Sequence, residues 1–322
     1  MTGATDAEVT DGRSAERPVS FAAELLRATE MAALAAAKGA GRDEADPLRQ
    51  RAVKAIGGVL GHAGLAVAPD LGIHQGKAGW TPVRIGGAVD PVCELAAYPV
   101  EGASLAAGGR GAAISLLLAA AHGGIPQLPP LLYMQKIVTG PIGRGALDLD
   151  DEIGDNLRRL AFAREVRVGD LLVAVLDRPR HQDLVADIRA TGARVVLLEE
   201  GELAGALLAA AGAGGVDAMV GIGGLHETVV EAGLTRCLGG DLVARLWPRN
   251  GEERELAASD LERTYQLGEL APATVEAAVT GITDGLLLAG ARFGTPWNET
   301  ESLSLSTLSR TARQIKTRHW RG

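Results

Sequence analysis

Three short apolar runs in the second half of the chain, each followed by a segment with helical spacing, constrain the fold more than any other feature. The runs have the length and the Val, Leu and Ile content of buried strands, and they begin about 23 residues apart. The runs and the segments that follow them are 171–176 with 181–191, 194–198 with 201–211, and 216–222 with 225–237. Successive βα units of this kind predict a parallel sheet with flanking helices and right-handed crossovers.

The first half of the chain predicts a pair of helices followed by strands and loops. Apolar residues recur at helical spacing over 21–38, and a second helix is predicted over 47–60 with Asp46 as its N-cap. Residues 66–111 contain short apolar runs and many glycines, which indicates strands and loops. The run 111–121 fits either a strand or a helix, because periodicity does not separate the two in so short a segment.

The composition indicates a folded protein with a core of small and aliphatic residues. Hydrophobic residues make up 47% of the chain and charged residues 22%, which excludes disorder for most of its length. Aromatic residues are only 3%, so Ala, Val, Leu and Ile must fill the core. The net charge of −8 argues against a nucleic-acid partner, since non-specific binding to nucleic acid needs a basic surface.

The cysteine content and the lengths of the apolar runs predict a cytoplasmic protein without a membrane partner. Cys93 and Cys237 are too few for a disulfide framework or a Cys-rich metal site, which favours a reduced compartment. The longest uncharged apolar stretches, 111–121 and 203–216, are shorter than the roughly 20 residues that span a bilayer. Residues 1–18 are polar and acidic and are predicted to form a disordered tail rather than a secretory signal.

Residues suited to binding and catalysis follow each of the three predicted strands. The segments are Asp-Arg-Pro-Arg-His at 177–181, Glu-Glu-Gly-Glu at 199–202 and Gly-Ile-Gly-Gly at 221–224. Ligands of parallel sheets bind beyond the carboxyl ends of the strands, arginine binds phosphate bidentately, and glycine lets a phosphate approach the backbone. Two alternatives stay open, since the first segment also fits a solvated basic turn and the last also fits tight packing.

Two further segments carry residues suited to phosphate or metal chemistry. Tyr133 and Lys136 lie three residues apart, and Lys136 either meets a phosphate or is one more surface lysine. Glu101 follows an apolar run and fits a ligand, a general base or an ordinary turn residue. Glu227 lies in the first turn of a predicted helix, where it either favours the helix dipole or binds a metal.

Taken in order along residues 21–319, these segments resemble the class II fructose-1,6-bisphosphatases, the bacterial magnesium-dependent type. The stretches that carry the resemblance are 133–137 with Gly-Pro at 140–141, 177–181, 221–224 with Glu227, 237–250, and Thr-Gly-Ile-Thr-Asp-Gly at 280–285. The resemblance implies an α/β protein with the layered αβαβα fold of the sugar phosphatases and inositol monophosphatases. It also implies a sugar-phosphate ligand, a homo-oligomer, and Mg²⁺ or Mn²⁺ if the inherited hydrolysis is kept.

The resemblance divides the chain into two parts and assigns the residues that bind substrate. The metal-site motifs of the family fall in 19–165, and the sugar-phosphate-binding motifs fall in 166–322, except that Tyr133 and Lys136 precede this boundary. The positions that match substrate-binding positions are Tyr133, Lys136, Arg178, Arg180, Glu200, Gly201, Glu202, Gly223 and Gly224. The family has Asp-Gly-Asp where this chain has Glu-Gly-Glu, so each acidic side chain here is one methylene longer.

The motifs that hold the metal in this family are altered in this chain. Glu101 and Glu227 stand in register with family carboxylates and are predicted as metal ligands. The same two residues and Tyr98, which replaces an Asp, are predicted as catalytic residues. Tentative additional ligands are Asp43, Asp70 and Glu94. Two carboxylates in register make a poor cage for Mg²⁺, which needs near-octahedral oxygen ligands.

Three functions are compatible with a chain whose binding motifs match the family better than its metal motifs do. The first is hydrolysis of a sugar (bis)phosphate with a rebuilt or weakened metal site. The second is metal-free acid–base chemistry on a sugar phosphate, with proton transfers carried by Tyr98, Glu101, His226 and Glu227. The third is a binding or regulatory role without catalysis. The ligand is fructose 1,6-bisphosphate, a heptulose bisphosphate or another sugar phosphate.

Overall fold

The computed structural model describes residues 20–63, 73–74, 80–81, 93–121, 124–126, 128, 131 and 133–320. The α-helices in this part are α1 (Ala22–Ala37), α2 (Ala45–His62), α3 (Ala103–Ala107), α4 (Ile153–Ala163), α5 (Gln182–Ala190), α6 (Glu202–Ala211), α7 (Leu225–Leu238), α8 (Gly251–Leu256) and α9 (Leu267–Leu270). The strands are β1 (Ile73–His74), β2 (Trp80–Thr81), β3 (Cys93–Glu101), β4 (Ile114–Ala121), β5 (Tyr133–Thr139), β6 (Leu172–Leu176), β7 (Arg194–Leu198), β8 (Ala218–Gly224), β9 (Asp241–Trp247), β10 (Tyr265–Gln266), β11 (Val275–Gly281), β12 (Trp297–Ser306) and β13 (Thr311–Trp320).

The described strands form two sheets. The first has the order β13-β12-β11-β4-β3-β1-β2, and the second has the order β10-β9-β5-β8-β6-β7. Strand β6 pairs in parallel with both β7 and β8, which confirms the predicted parallel βα units. The second sheet is mixed, because β5 runs antiparallel to both of its neighbours, β8 and β9.

Helices cover the outer faces of the sheets and fill the space between them. Helices α1 and α2 pack on the outer face of the first sheet, where Leu25 and Ile56 meet Leu117. Helices α6 and α7 lie between the sheets, with residues such as Leu207 facing the first sheet and Ala206 facing the second. Helices α4 and α5 cover the outer face of the second sheet. The result is the five-layer αβαβα arrangement that the resemblance implies.

Helix α6 consists of Ala, Leu and Gly after its first residue, Glu202. Residues Leu203 to Ala210 of this helix are all buried, so both of its faces contact apolar neighbours. A Cβ atom added at Gly205 would lie 2.9 Å from the Met219 sulfur, which shows how closely α6 approaches β8. Small and aliphatic side chains therefore fill this part of the core, as the low aromatic content predicted.

Most predicted elements are confirmed within a few residues, and two need correction. Helix α2 begins at Ala45 with Glu44 before it, so Asp46 lies inside the first turn and is not the N-cap. The run 111–121, open between strand and helix, contains strand β4. The segment 66–111, predicted as strands and loops, also contains the short helix α3. This helix is too short to show a helical period in the sequence. The tail predicted over 1–18 lies outside the described residues.

The two sheets do not divide the chain in sequence order. The first sheet takes β3 and β4 and then, after the whole second sheet, β11 to β13. The register pairs Leu117 with Ala278, two residues that are far apart in the sequence. The boundary predicted between residues 165 and 166 lies between α4 and β6, inside the segment that builds the second sheet.

Two further sequence predictions concern membrane-spanning helices and the state of the two cysteines. Within the described ranges, no helix has both the length and the apolar character needed to cross a bilayer. Cys93 and Cys237 are both free thiols, and burial raises the pKa of Cys93 to about 11 and that of Cys237 to about 12. Both therefore behave as small core residues rather than as reactive thiolates.

Candidate functional site

The three segments singled out at the strand ends meet at one edge of the second sheet. The guanidinium of Arg178 donates to the Glu199 carbonyl at 2.8 Å, which joins the ends of β6 and β7. The guanidinium of Arg180 donates to the Ile222 carbonyl at 2.8 Å, which joins the ends of β6 and β8. The candidate site therefore lies beyond the carboxyl ends of the parallel strands, as predicted.

The buried His181 side chain joins the ends of β6 and β8 at this edge. Its Nδ1 lies 2.8 Å from the Leu176 carbonyl, and its Nε2 accepts the Ile222 N–H at 2.8 Å. These contacts fix the neutral tautomer with the proton on Nδ1, and burial lowers the pKa of the ring. Gly221 makes room for the ring, because a Cβ atom there would come within 3.1 Å of it. His181 is a structural residue of the site.

Two arginines lie against the ring of Tyr133. The Arg180 guanidinium carbon is 5.1 Å from the ring centroid, and that of Arg249 is 5.9 Å from it. Glu253 holds Arg249 in place, since its carboxylate accepts both the backbone N–H and Nε of Arg249 at 2.8 Å. We call Tyr133, Arg180 and Arg249 the arginine–tyrosine cluster. Arg249 was not predicted as a binding residue, although it lies in the 237–250 stretch that carried the resemblance.

Arg180 gives the arginine–tyrosine cluster a positive charge that no carboxylate offsets. No carboxylate in the described part of the chain forms a salt bridge with Arg180, which donates to the Ile222 carbonyl, whereas Arg249 pairs with Glu253. Arg180 and Arg249 are exposed, so their remaining N–H donors reach solvent. Two guanidinium groups beside a tyrosine suit a phosphate dianion, because each guanidinium offers donors in a planar fork.

A second group of residues lies on the other side of 222–224, the end of β8. We call it the acidic centre, and it consists of Tyr98, Glu101, Lys136, Glu202, Glu227 and Glu231. Its members come from both sheets and from both helices of the central layer, α6 and α7. Gly224 links the two groups, since it pairs with Tyr133 and donates its N–H to Glu202 at 3.4 Å.

Lys136 is buried in the acidic centre rather than exposed at the surface. Its side chain is 1% exposed, and its ammonium lies 2.6 Å from the Glu231 carboxylate and in contact with that of Glu202. The third contact is with the Thr228 hydroxyl at 3.2 Å. Burial alone lowers the pKa of Lys136, but the two carboxylates outweigh it and raise the pKa above the usual value. The lysine is therefore charged.

Tyr98 and Glu101 bring the first sheet into the acidic centre. The Tyr98 ring is 3% exposed and packs among apolar residues of the central layer, and its hydroxyl is buried near the Glu227 carboxyl group. The Glu101 carboxylate accepts the N–H of Leu203 at 3.0 Å, in the first turn of α6. Helix N-termini favour negative charge, so this contact positions Glu101.

Burial and mutual repulsion raise the pKa values of the carboxyl groups in this centre. Desolvation raises the pKa of Glu101 to about 7, with Glu202 and Glu227 adding to the shift. Desolvation and the Glu202 charge raise the pKa of Glu227 to about 7 as well. Burial also raises the pKa of Glu231, and Lys136 opposes that shift. Two carboxyl groups that titrate near neutrality can hold or release protons during a reaction.

These raised pKa values predict that stability falls as pH rises. Glu101 and Glu227 keep their protons in the folded chain up to about pH 7 and lose them near pH 4.5 when unfolded, so the folded state binds more protons in between. Both groups are partly exposed, which reduces the effect. We expect the free energy of unfolding to drop by ~2 kcal/mol from about pH 5 to about pH 8.

Urea denaturation at a series of pH values measures this drop. The variant Glu101→Gln should flatten the pH dependence, because an amide also accepts the Leu203 N–H but does not titrate. Glu262→Gln, at an exposed position, is the matched control and should leave the slope unchanged. A wild-type chain that is equally stable at both ends of this pH range would contradict the raised pKa values.

The glycines at the end of β8 make room for the acidic centre. A Cβ atom at Gly223 would overlap the Glu202 carboxylate and come 2.8 Å from the Lys136 ammonium. We expect Gly223→Ala to lower the free energy of unfolding by about 1–3 kcal/mol, as overpacked sites do. Gly57→Ala is the control, since nothing lies within 4 Å of a Cβ there, and alanine in a helix should be neutral or stabilising. Equal unfolding midpoints of the two variants would contradict this account.

The remaining predicted substrate residues lie at the same edge but face protein partners. The Glu200 carboxylate accepts the Ser104 N–H at 3.2 Å, which ties the 199–202 turn to the start of α3. Gly201 adopts a left-handed conformation with φ of 90°, which explains the glycine between the two glutamates. Glu202 binds Lys136 and is therefore drawn inwards.

Two of the tentative additional metal ligands, Glu94 and Asp43, contact partners outside the acidic centre. Glu94 accepts the Ile125 N–H at 3.0 Å near the start of β3, and Glu101 is seven residues further along the same strand. At about 3.3 Å per residue the two lie roughly 20 Å apart. Asp43 pairs with Arg51 at 2.5 Å beside the exposed turn after α1. Asp70 lies outside the described residues.

The two-sheet αβαβα fold, with a phosphate-sized cationic cluster beside a group of carboxylates, defines the class of layered sugar phosphatases. A sequence profile of the bacterial fructose-1,6-bisphosphatases encoded by glpX matches residues 19–319. The chain belongs to this family, which is named for a phosphatase activity.

Curated relatives agree with this assignment along nearly the whole chain. The D-fructose 1,6-bisphosphatase class 2/sedoheptulose 1,7-bisphosphatase of Synechococcus sp. (strain RCC307) is 33% identical, with 92% of this chain and 95% of the relative covered. The fructose-1,6-bisphosphatase class 2 of Haemophilus influenzae is 32% identical, with 94% and 96% covered. The comparisons therefore confirm the family on which the predicted fold and ligand class rest.

The described residues do not fit the divalent metal centre that the resemblance implies. Within the described ranges, no three His, Cys, Asp or Glu side chains form a group that could hold a metal ion. Three carboxylates of the acidic centre instead contact protein donors: the Leu203 N–H for Glu101, and Lys136 for Glu202 and Glu231. We therefore derive no reaction step through a bound metal.

Proposed function

We propose that this chain binds a sugar (bis)phosphate and hydrolyses one of its phosphate monoesters. The observation that carries the proposal is the position of the arginine–tyrosine cluster beside the acidic centre, with only residues 222–224 between them. One group supplies positive charge for a phosphate, and the other supplies carboxyl groups for proton transfer. Membership of a phosphatase family supports the same reaction.

The arginine–tyrosine cluster is the proposed site for one phosphate group. The Ile222 carbonyl orients the Arg180 guanidinium, and Glu253 orients that of Arg249. Both guanidinium groups are therefore held in place before the ligand binds. Preorganised donors lose less conformational entropy on binding. The Tyr133 ring lies against both arginines and offers its hydroxyl as a further donor.

Glu101 and Glu227 are the proposed acid–base pair. Their pKa values of about 7 allow one carboxylate to take a proton from water while the other carboxyl gives a proton to the sugar oxygen that leaves phosphorus. The Leu203 N–H holds Glu101, and the Tyr98 hydroxyl lies near Glu227. The chain's own residues thus surround both proton carriers.

The names of the relatives narrow the substrate class. The Synechococcus relative carries the names of a fructose 1,6-bisphosphatase and a sedoheptulose 1,7-bisphosphatase, so ketose bisphosphates are the first substrates to test. A bisphosphate offers one phosphate to the arginine–tyrosine cluster and the other to the reaction. The cytoplasmic location and the homo-oligomer stay predictions from sequence.

Phosphate release and ligand binding, measured side by side, test the proposal. Purified chain is incubated with fructose 1,6-bisphosphate, sedoheptulose 1,7-bisphosphate and their monophosphates, and the melting temperature is recorded with each. We expect release from at least one bisphosphate, and a ligand at about 100 times its Kd should add about 2.7 kcal/mol of stability. Glu227→Gln should lose release and keep the melting shift. The absence of any melting shift would refute the binding proposal.

Proton transfer on a sugar phosphate without hydrolysis is the second candidate. The observation that favours it is that Tyr98, Glu101 and Glu227 lie close enough to influence one another's pKa, which places three proton-carrying groups together. The test is incubation with ketose and aldose phosphates in D₂O, followed by ¹H NMR. Deuterium at a carbon next to the carbonyl, without phosphate release, would support this candidate over hydrolysis. His226, predicted as a further proton carrier, is exposed in the first turn of α7.

A further inference from the structure

Among the described residues, Lys136 is the cation of the acidic centre. Its ammonium donates hydrogen bonds to the Glu202 carboxylate and the Thr228 hydroxyl, and it forms an ion pair with the Glu231 carboxylate 2.6 Å away. A lysine ammonium has three N–H donors and no acceptor, so protein groups take up most of its capacity. Its 1% exposure leaves it no access to a phosphate in solvent. Lys136 therefore acts on the carboxylates and not on the ligand.

The ammonium lies at the middle of the carboxyl groups. It directly contacts Glu202, which affects the pKa of Glu101 and of Glu227 through its charge. It lies beneath the end of β8, since a Cβ atom at Gly223 would be only 2.8 Å from Nζ. Four carboxyl groups in one desolvated place repel one another, and a positive charge among them offsets that repulsion.

We propose that the Lys136 ammonium is the resident cation of the acidic centre and makes this centre independent of a bound divalent ion. Mg²⁺ needs about six oxygen ligands in octahedral geometry, whereas here Glu202 and Glu231 contact an ammonium and Glu101 accepts a backbone N–H. The inference rests on the proposed function for the position of the ligand beside this centre. It adds that charge compensation comes from the chain itself.

An ammonium changes what the centre can do. It stabilises neighbouring negative charge by hydrogen bonds, but it does not bind a water oxygen as a Lewis acid does. Water must then be activated by a carboxylate, which is the role proposed for Glu101 and Glu227. Ligand binding at the arginine–tyrosine cluster should be the same with or without divalent ions.

Direct Mn²⁺ titration of the full chain tests the inference. The purified chain is stripped with EDTA, dialysed and titrated with Mn²⁺ while the free ion is followed by electron paramagnetic resonance. We expect no stoichiometric binding, and we expect the melting shift caused by fructose 1,6-bisphosphate to be the same in EDTA and in Mg²⁺. Stoichiometric Mn²⁺ binding that disappears in Glu227→Gln would overturn the inference. The melting shift measures ligand binding separately from the Mn²⁺ titration. The proposed function can therefore be wrong while this inference holds, and this inference can be wrong while the proposed function holds.

Removal of the ammonium should open the centre to a metal. Lys136→Gln is expected to gain stoichiometric Mn²⁺ binding and a higher melting temperature in Mn²⁺, because Glu202 and Glu231 lose their partner. Lys54→Gln, at an exposed position of α2, is the control and should gain neither. A folded Lys136→Gln that gains no Mn²⁺ would contradict the inference. If this variant does not fold, the wild-type titration decides alone.

Discussion

Lys136→Met should lower the free energy of unfolding by about 3–5 kcal/mol, the largest stability effect expected for this chain. The substitution leaves the Glu202 and Glu231 carboxylates without the ammonium that both contact inside the fold. Removing one partner of a buried ion pair is strongly destabilising, because the charges that remain are neither solvated nor paired. Urea denaturation followed by circular dichroism measures the change.

A double-mutant cycle separates charge from packing in this result. Glu231→Gln in the Lys136→Met background should recover part of the loss, since it removes one uncompensated charge and keeps the shape. Lys54→Met, an exposed position on α2, should change the free energy of unfolding by no more than about 0.5 kcal/mol. A loss of under about 1 kcal/mol in Lys136→Met would mean that the buried ion pair does not form in solution.

Arg180→Ala should weaken the binding of fructose 1,6-bisphosphate by about 100-fold, which corresponds to ~2.7 kcal/mol. The variant removes a guanidinium that no described carboxylate neutralises and that lies 5.1 Å from the Tyr133 ring centroid. Charge-assisted hydrogen bonds to phosphate are about twice as strong as neutral ones, so a single arginine carries much of the affinity. Isothermal titration calorimetry with the bisphosphate, and with inorganic phosphate as a probe, measures the loss.

The other arginines provide graded controls for this measurement. Arg249→Ala should weaken binding by about 10-fold, because its side chain is 46% exposed and Glu253 already shares its charge. Arg189→Ala, at an exposed position of α5, should leave the affinity unchanged. Arg180→Ala with wild-type affinity would show that the phosphate binds elsewhere, even if hydrolysis is observed.

The predictions for Lys136 and Arg180 concern residues on the two sides of the end of β8. Either prediction can be wrong while the other holds. Lys136 is measured by unfolding without any ligand, whereas Arg180 is measured by ligand affinity in a folded chain. Tyr133 and Lys136 show why both are needed. They lie three residues apart on β5, yet one lies against exposed arginines while the other is buried among carboxylates. An odd spacing along a strand places side chains on opposite faces of the sheet.

The βα units of the second half could be predicted because their signals are local. Strand β7 lies where the apolar run predicted it, and α5, α6 and α7 agree within a residue or so at each end. Hydrophobic spacing reports the periodicity of a helix or strand directly, whatever the rest of the chain does. The pairing of β4 with β11 was not predicted, because the two strands are far apart in the sequence. No local sequence pattern indicates which distant strands pair with each other.

The sequence predicted several residues of the candidate site, but it did not predict the contacts between them. Arg180 and Tyr133 came from segments that match the family, and the structure places them together. The roles of Arg249 and His181 were missed, because each depends on a contact with another strand end. No sequence pattern distinguishes an exposed lysine from a buried one when its partners, as for Lys136, lie dozens of residues away.

The first two helices, the βα order of residues 171–237, the family and the residue types at the strand ends were determined by the sequence alone. Each depends on neighbouring residues or on motifs read in order. Only the tertiary structure decided which charges meet: two arginines against Tyr133 on one side of the end of β8, and a lysine among glutamates on the other. Electrostatic energies depend on distance and burial in space, and folding sets both by bringing remote segments together.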